Sequence, residues 1–279
     1  MTDSPLSNQK RRFALDEIRG LGCFQTVEWV DETDSTNKQM AERIRQQSMV
    51  LPALLIADRQ TSGVGRGNHS WWSAPGCLMF TMAIPIGPKE EANSVESALL
   101  PLRVGYAIAE CLETLATSKP MVKWPNDVYL ENRKVSGVLI EVIPQGPPLP
   151  MVAVIGIGIN CQLAFTDAPN ELRNSACSLH EFAKSGFAEQ CSTESVLIHF
   201  LHHWREATER QTADPEWLLK QWSHRSLLDG QWVEIKQANE SVQGRCIGID
   251  DRGALLLQDA RLRVTHVIAG TVISYRTSC

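Results

Sequence analysis

The chain has 279 residues, 43% of them apolar, which is enough to fill the core of one large domain or of a large and a small one. Its net charge of -5 gives no broad positive field, and its only basic cluster is Lys10, Arg11 and Arg12, so nucleic acid is not an expected partner. No apolar run approaches the ~18 residues of a membrane span, no apolar stretch of signal-peptide type opens the chain, and the eight scattered cysteines form no C-x-x-C, which excludes membrane insertion, a disulfide framework and structural zinc, and makes a reduced, cytoplasmic protein the default.

Residues 1–25 carry little periodicity beyond a short helix near Phe13–Ile18 and read as an extension into a first strand, Thr26–Val30. Ser35, Thr36 and Asn37 offer N-cap chemistry to a helix through Met40, Ala41 and Ile44, and LPALLIA (51–57) follows with the branching of a buried strand. After a Gly-rich loop (59–70) comes the strand CLMFTMAIPI. Pro101, which suits a first helical turn, opens a helix marked by Val104, Ile108, Cys111, Leu112 and Leu115. MVKW, VSGVLIEV and MVAVIGIGI are further strands, too apolar to have a wet face, so a sheet packed by helices is expected for residues 26–227. Helices at 194–209 and from Pro215 to about Trp222 complete that unit. From residue 228 five short strands with polar turns predict a small C-terminal β-barrel, 228–279.

Four segments are too polar or too rich in glycine for the strands they interrupt. In DETDSTN (31–37) the hydroxyls and amide of Ser35, Thr36 and Asn37 can cap a helix, the ordinary reading, or bind the polar edge of a ligand. In RQTSGVGRGNHSWW (59–72), Gly63, Gly65 and Gly67 bracket Arg66; the backbone can crowd an anion there and the guanidinium can pair with a carboxylate or phosphate, although the spacing is neither a P-loop nor a Rossmann fingerprint. In KWPNDVYLENRKVSGVLIEV (123–142) the chain turns at Pro125, Asn126 and Asp127, and a hairpin-like return sets Asp127 beside Lys134. Such a pair can hold magnesium or orient an amine while the ammonium neutralises charge growing on oxygen; the commoner alternative is a surface ion pair of little weight. GIGIN (156–160) ends an apolar strand at Asn160, where open sheets often bind ligands. His199, His202 and His203 lack a partnering carboxylate and are left out as a metal site.

These segments, in this order, resemble the biotin protein ligases. KWPND followed by RK-x-x-G-x-L-x-E is the most specific part, with DSTN, the Gly/Arg loop, GIGIN and NELRNSACSL (170–179) in support. The resemblance implies an α+β fold: a mixed sheet flanked by helices, like that of the biotin/lipoate ligases and class II aminoacyl-tRNA synthetases, with an SH3-like barrel behind it. It also implies that biotin and ATP, with Mg2+, give biotinyl-AMP, and that the biotinyl group then passes to a lysine of a biotin carboxyl carrier domain. On that likeness Ser35, Thr36, Asn37 and Gln60 meet the biotin ring near Gly137; Gly63, Gly65 and Arg66 cover the carboxylate and phosphate; and Trp71 packs on adenine. Asn160 and Gly158 lie near the phosphates, Lys134 stabilises the developing charge, and Asp127, with Asn126, places magnesium or the acceptor lysine.

The loop departs from the family pattern G-R-G-R, with Val64 at the first arginine and Gly67, Asn68, His69 after Arg66, which implies a more mobile loop and faster escape of the adenylate. Only 34 residues precede Ser35, so a ligase without the operator-binding domain of some relatives is expected. Lipoate or octanoate ligases and a non-catalytic biotin or nucleotide sensor are the alternatives, and a homodimer is compatible with any edge strand.

Overall fold

The computed structural model describes residues 5–86, 95–146, 148–238 and 240–277. A seven-stranded sheet is built from β1 (Thr26–Thr33), β2 (Ala53–Gln60), β3 (Cys77–Pro85), β4 (Met121–Lys123), β5 (Asp127–Leu130), β6 (Arg133–Ile143) and β7 (Val152–Asn160), in the order β1-β2-β3-β7-β6-β5-β4. The first pair is parallel and the remaining pairs antiparallel, a mixed sheet as expected.

Both faces are covered because side chains of a strand alternate in direction. Leu55 of β2 and Val152 and Val154 of β7 meet Met40, Ala41 and Ile44 of α2 (Thr36–Arg45). On the other face Leu54, Ile56, Phe80 and Met82 meet α3 (Val95–Leu115) and α5 (Thr193–Ala213), with the rings of Phe80 and Phe200 5.3 Å apart. Two six-residue helices, α4 (Asn170–Ser175) and α6 (Trp217–Trp222), flank α5 in sequence. No described helix is long and apolar enough to cross a membrane.

Three sequence expectations are corrected here. The N-terminal extension contains a 16-residue helix, α1 (Pro5–Gly20), whose Ala14 and Ile18 are fully buried where it packs near α5. The Ala14–Ile18 pair at i, i+4 involves only two apolar positions, too little for periodicity to register, yet docking it gains apolar contact. Replacing Ile18 with Ala should therefore lower the unfolding free energy by about 2–5 kcal/mol, measured by denaturant melts, whereas an undocked extension would show no change. Pro101 lies within α3 instead of opening it. Burial of Leu99, Leu100 and Leu102 around it offsets the backbone bond that proline cannot make. Finally, DVYL is a strand of its own, β5, joined to β6 by Glu131 and Asn132, both in the left-handed region (φ 47° and 61°), the geometry of a tight two-residue hairpin turn.

The C-terminal strands β8 (Gln231–Lys236), β9 (Ser241–Ile249), β10 (Leu255–Gln258), β11 (Val264–Val267) and β12 (Thr271–Thr277) form an antiparallel sheet in the order β11-β10-β9-β8-β12. All five predicted strands are present, consistent with a small SH3-like unit, and β11 and β12 are the edge strands of the hydrogen-bonded order among the described residues. The two sheets share one hydrophobic core, and at one close contact the buried Trp124 indole donates to the Gly253 carbonyl (2.9 Å) while Leu99 and Leu102 of α3 lie against the same turn. The seven described cysteines are free and six of them buried, as reduced core residues should be; Cys279 lies outside the described residues.

Candidate active site

A cavity of about 810 Å³ opens between the ends of β2, β6 and β7, the Gly/Arg loop, and the β8–β9 and β11–β12 turns of the second sheet. That volume suits a drug-sized ligand. Ser35, Thr36, Asn37, Gln60, Gly65, Arg66, Trp71, Asn126, Asp127, Lys134, Gly137 and Gly158 all line it. Two expected members stand behind the wall. Gly63 holds the loop through its carbonyl, which accepts from Trp71 N at 2.9 Å. Asn160 is 5% exposed and its amide donates to the Cys177 carbonyl (3.0 Å), tying the NELRNSACSL segment to the sheet.

The polar floor comes from DSTN. Ser35 occupies the N-cap position of α2, but its side chain makes no cap hydrogen bond, so the capping reading does not hold. Thr36 N, one of the helix's unpaired first-turn donors, instead donates across to Gln60 Oε1 at 2.7 Å. Thr36 Oγ1 lies 3.1 Å from the same oxygen, and the buried Thr81 Oγ1 lies 2.8 Å from both Thr36 Oγ1 and Asn37 Oδ1. Asn37 Nδ2 donates to Glu141 Oε2 at 3.2 Å. Gly156 must be glycine for this floor to exist, since a Cβ there would sit 2.0 Å from Asn37 Oδ1.

The charged wall follows from an irregularity in the β5–β6 hairpin. Asp127 is registered with Gly137 and Val128 with Ser136, but Tyr129 pairs with Lys134, which leaves Val135 as the extra residue of a bulge. The bulge shifts the alternation, so Val135 and Ser136 are buried while Lys134 and Gly137 both face the cavity. Lys134 Nζ thereby reaches Asp127 Oδ1 at 2.7 Å, the pairing expected from sequence, with roughly a quarter to a third of each side chain exposed. Behind it, Cys177 N donates to the Lys134 carbonyl (3.0 Å), fixing the backbone.

Trp71 lies over the paired glycines of β6 and β7. A Cβ on Gly158 would fall 2.4 Å from its ring and one on Gly137 3.2 Å away. Its Nε1 sits 3.4 Å from Cys77 Sγ, and Lys134 Nζ is 5.9 Å from the ring centroid. The Gly/Arg loop is a short hairpin, with Gly65 N donating to the His69 carbonyl at 2.6 Å and Gly67 in the left-handed region (φ 65°). Arg66 projects from it, exposed; partial desolvation lowers its pKa while the field of Asp127 raises it.

Sequence reading missed three contributors. Lys123 Nζ lies 5.4 Å from the Tyr129 ring centroid and 5.2 Å from that of Tyr275, and burial lowers its pKa, with Asp127 opposing and Lys134 adding to the fall. Lys236–Ala238 and Ala269–Ile273 close the cavity from the second sheet. Thr81 is the third, and its signal was available: a lone hydroxyl inside the otherwise apolar run CLMFTMAIP. Among the described residues no cluster of three or more His, Cys, Asp and Glu could hold a metal ion.

Residues 29–160 match the biotin/lipoate A/B protein ligase family, and residues 230–273 match the biotin protein ligase C terminal domain. The biotin--[acetyl-CoA-carboxylase] ligase of Mycobacterium tuberculosis is 29% identical over 282 residues, covering 98% of this chain and 97% of the relative. The bifunctional ligase/repressor BirA of Bacillus subtilis is 28% identical over 254 residues, covering 91% of this chain and 74% of its own. Among solved structures, the biotin protein ligase of Aquifex aeolicus in complex with biotin and ATP superposes with a TM-score of 0.72 at 28% identity, over 91% of this chain and all of that one.

Proposed function

The chain belongs to the biotin/lipoate A/B protein ligase family, on its biotin protein ligase branch, and from that premise we propose that it is an ATP-dependent biotin--[acetyl-CoA-carboxylase] ligase acting on a carboxylase's biotin carboxyl carrier domain. The observation that carries the chemistry is the Lys134–Asp127 pair, set in the same cavity as the Thr36–Gln60 polar floor and the Arg66 loop. In this reading residues 26–227 are the catalytic unit and 228–279 the C-terminal one, whose Lys236–Ala238 and Ala269–Ile273 segments close the far wall of the cavity, while α1 packs near α5.

In the first step a biotin carboxylate oxygen bonds to the α-phosphorus of ATP and the bond to pyrophosphate breaks. Lys134 neutralises the negative charge gathered where two anions meet, and Arg66 draws both toward it. Ser35, Thr36 and Gln60 hold the ureido ring at the floor, with Asn37 behind them and Gly137 leaving room. The Trp71 indole offers a flat face for adenine above Gly158. In the second step a lysine amine attacks the acyl carbon, an amide forms and AMP leaves. Asp127 orients that amine and Asn126, whose amide donates to the Val138 carbonyl, holds the turn that carries it. The donor set fits magnesium delivered on the phosphates of ATP, with Asp127 as a single protein carboxylate, better than it fits a preformed metal cage.

Intact mass of an apo carrier domain after incubation with the protein, Mg-ATP and either biotin or lipoate tests the assignment. A biotinyl increment is expected; a lipoyl one alone moves the enzyme to the lipoate branch, and neither increment makes it a sensor.

A further inference from the structure

The floor of the cavity is one proton short, and we infer that Thr81, a buried residue that does not line the cavity, sets ligand specificity by fixing which way the Thr36 hydroxyl points. The inference rests on the proposal that biotin's ureido ring occupies this floor. Four oxygens stand in a row: Gln60 Oε1, Thr36 Oγ1, Thr81 Oγ1 and Asn37 Oδ1, separated by 3.1, 2.8 and 2.8 Å. The two ends can only accept and the two hydroxyls carry one proton each, so three close contacts share two protons.

Neither end can turn its amide nitrogen inward. Asn37 Nδ2 is directed at Glu141 Oε2 and at the Leu139 carbonyl, both acceptors, so its oxygen must face Thr81. Gln60 Oε1 is held by Thr36 N at 2.7 Å. Only Thr81 can supply the proton that Asn37 Oδ1 needs at 2.8 Å, and Thr81 is fully buried, beyond the reach of water. With its proton committed, Thr81 Oγ1 becomes an acceptor toward Thr36. The Thr36 proton turns to that nearer partner at 2.8 Å in preference to Gln60 Oε1, which already has a backbone donor and is farther away at 3.1 Å.

The consequence at the cavity surface is that Thr36 presents lone pairs. A ligand N–H is welcome there, because it also relieves the crowding of oxygens, and a ligand oxygen is repelled. Thr81 is thus a positioning residue: it touches no ligand and acts through Thr36. Without its hydroxyl, Thr36 can turn its proton to Gln60 or to the ligand, and the floor no longer distinguishes donor from acceptor.

The test compares biotin with an analogue in which one ureido N–H is replaced by a ring oxygen, in wild type, Thr81→Val and Thr81→Ser, reading kcat/KM for adenylate formation by pyrophosphate release. Wild type and Thr81→Ser should prefer biotin by the same factor, and Thr81→Val should narrow that preference about tenfold while leaving the KM for ATP unchanged. A Thr81→Val variant that loses activity but keeps the wild-type preference makes Thr81 a structural residue only and overturns the inference. Thr81→Cys, with its weak donor, should fall between the two, and a wild-type preference there overturns the inference even where the valine variant folds poorly. Absence of biotin adenylation by the wild type would instead remove the ligase reading itself.

Discussion

Substituting Ala for Lys134 is expected to cut kcat/KM for biotin adenylation by about 10²- to 10³-fold, the cost of removing one preorganised cation from a site of developing negative charge. Two effects act together. The ammonium that offsets the charge of the meeting carboxylate and phosphate is lost. Asp127, 2.7 Å from Lys134 Nζ in the wild type, is then left as an uncompensated negative charge beside the path of an anionic nucleotide. Folding should hardly change, because a partly exposed pair is worth about 1 kcal/mol or less. Pyrophosphate release together with a thermal melt separates the two properties. Wild-type turnover in the variant would take Lys134 out of the reaction, and a Lys134→Arg variant should recover only part of the rate, because a planar fork does not reproduce a compact ammonium.

The second large effect is expected at Gly158, where Gly158→Ala places a methyl group 2.4 Å from Cε2 and Cζ2 of Trp71 and 2.9 Å from its Nε1. The strand cannot retreat, because its neighbours Ile157 and Ile159 are buried and it is paired on both sides, with β3 and β6. The indole must move instead, losing its seat beside Cys77 and Lys134. Crowding of this kind costs about 1–3 kcal/mol of stability. A displaced adenine platform should reduce kcat/KM for ATP by about a hundredfold, with a smaller change for biotin at the other end of the cavity. Combining it with Trp71→Ala separates the two consequences: the melting temperature should recover while activity does not. A double variant no more stable than Gly158→Ala would show that the indole is not what the methyl meets.

Strand positions were legible because LLIA, LMFTMAI and VAVIGIGI are covered on both faces and so are apolar throughout except for Thr81. The local chemistry of the site was legible for a similar reason: Arg66, Asp127 and Lys134 interrupt such runs. Legibility failed where tertiary contact decided the outcome. The docking of Ala14 and Ile18 against the rest of the fold and the tolerance of Pro101 inside α3 depend on neighbours distant in sequence. In DSTN the local rule pointed the wrong way, since Ser35 caps nothing and Thr36 and Asn37 bond to Gln60 and Glu141 on other strands. The second-sheet wall at Lys236–Ala238 and Ala269–Ile273 carries no motif at all.

The two-residue turn at Glu131 and Asn132 and the bulge at Val135 together count out where Lys134 falls. In a strand, moving the count by one exchanges the two faces for every residue beyond the change. A one-residue deletion in the turn at 131–132 would therefore carry Lys134 away from Asp127 while leaving every side chain of the motif chemically intact. The hairpin thus encodes a distance as much as a set of residues. Variation along this stretch is constrained first in length and only then in composition, so a library that shuffles residues at 131 and 132 should retain far more active members than one that inserts or deletes there.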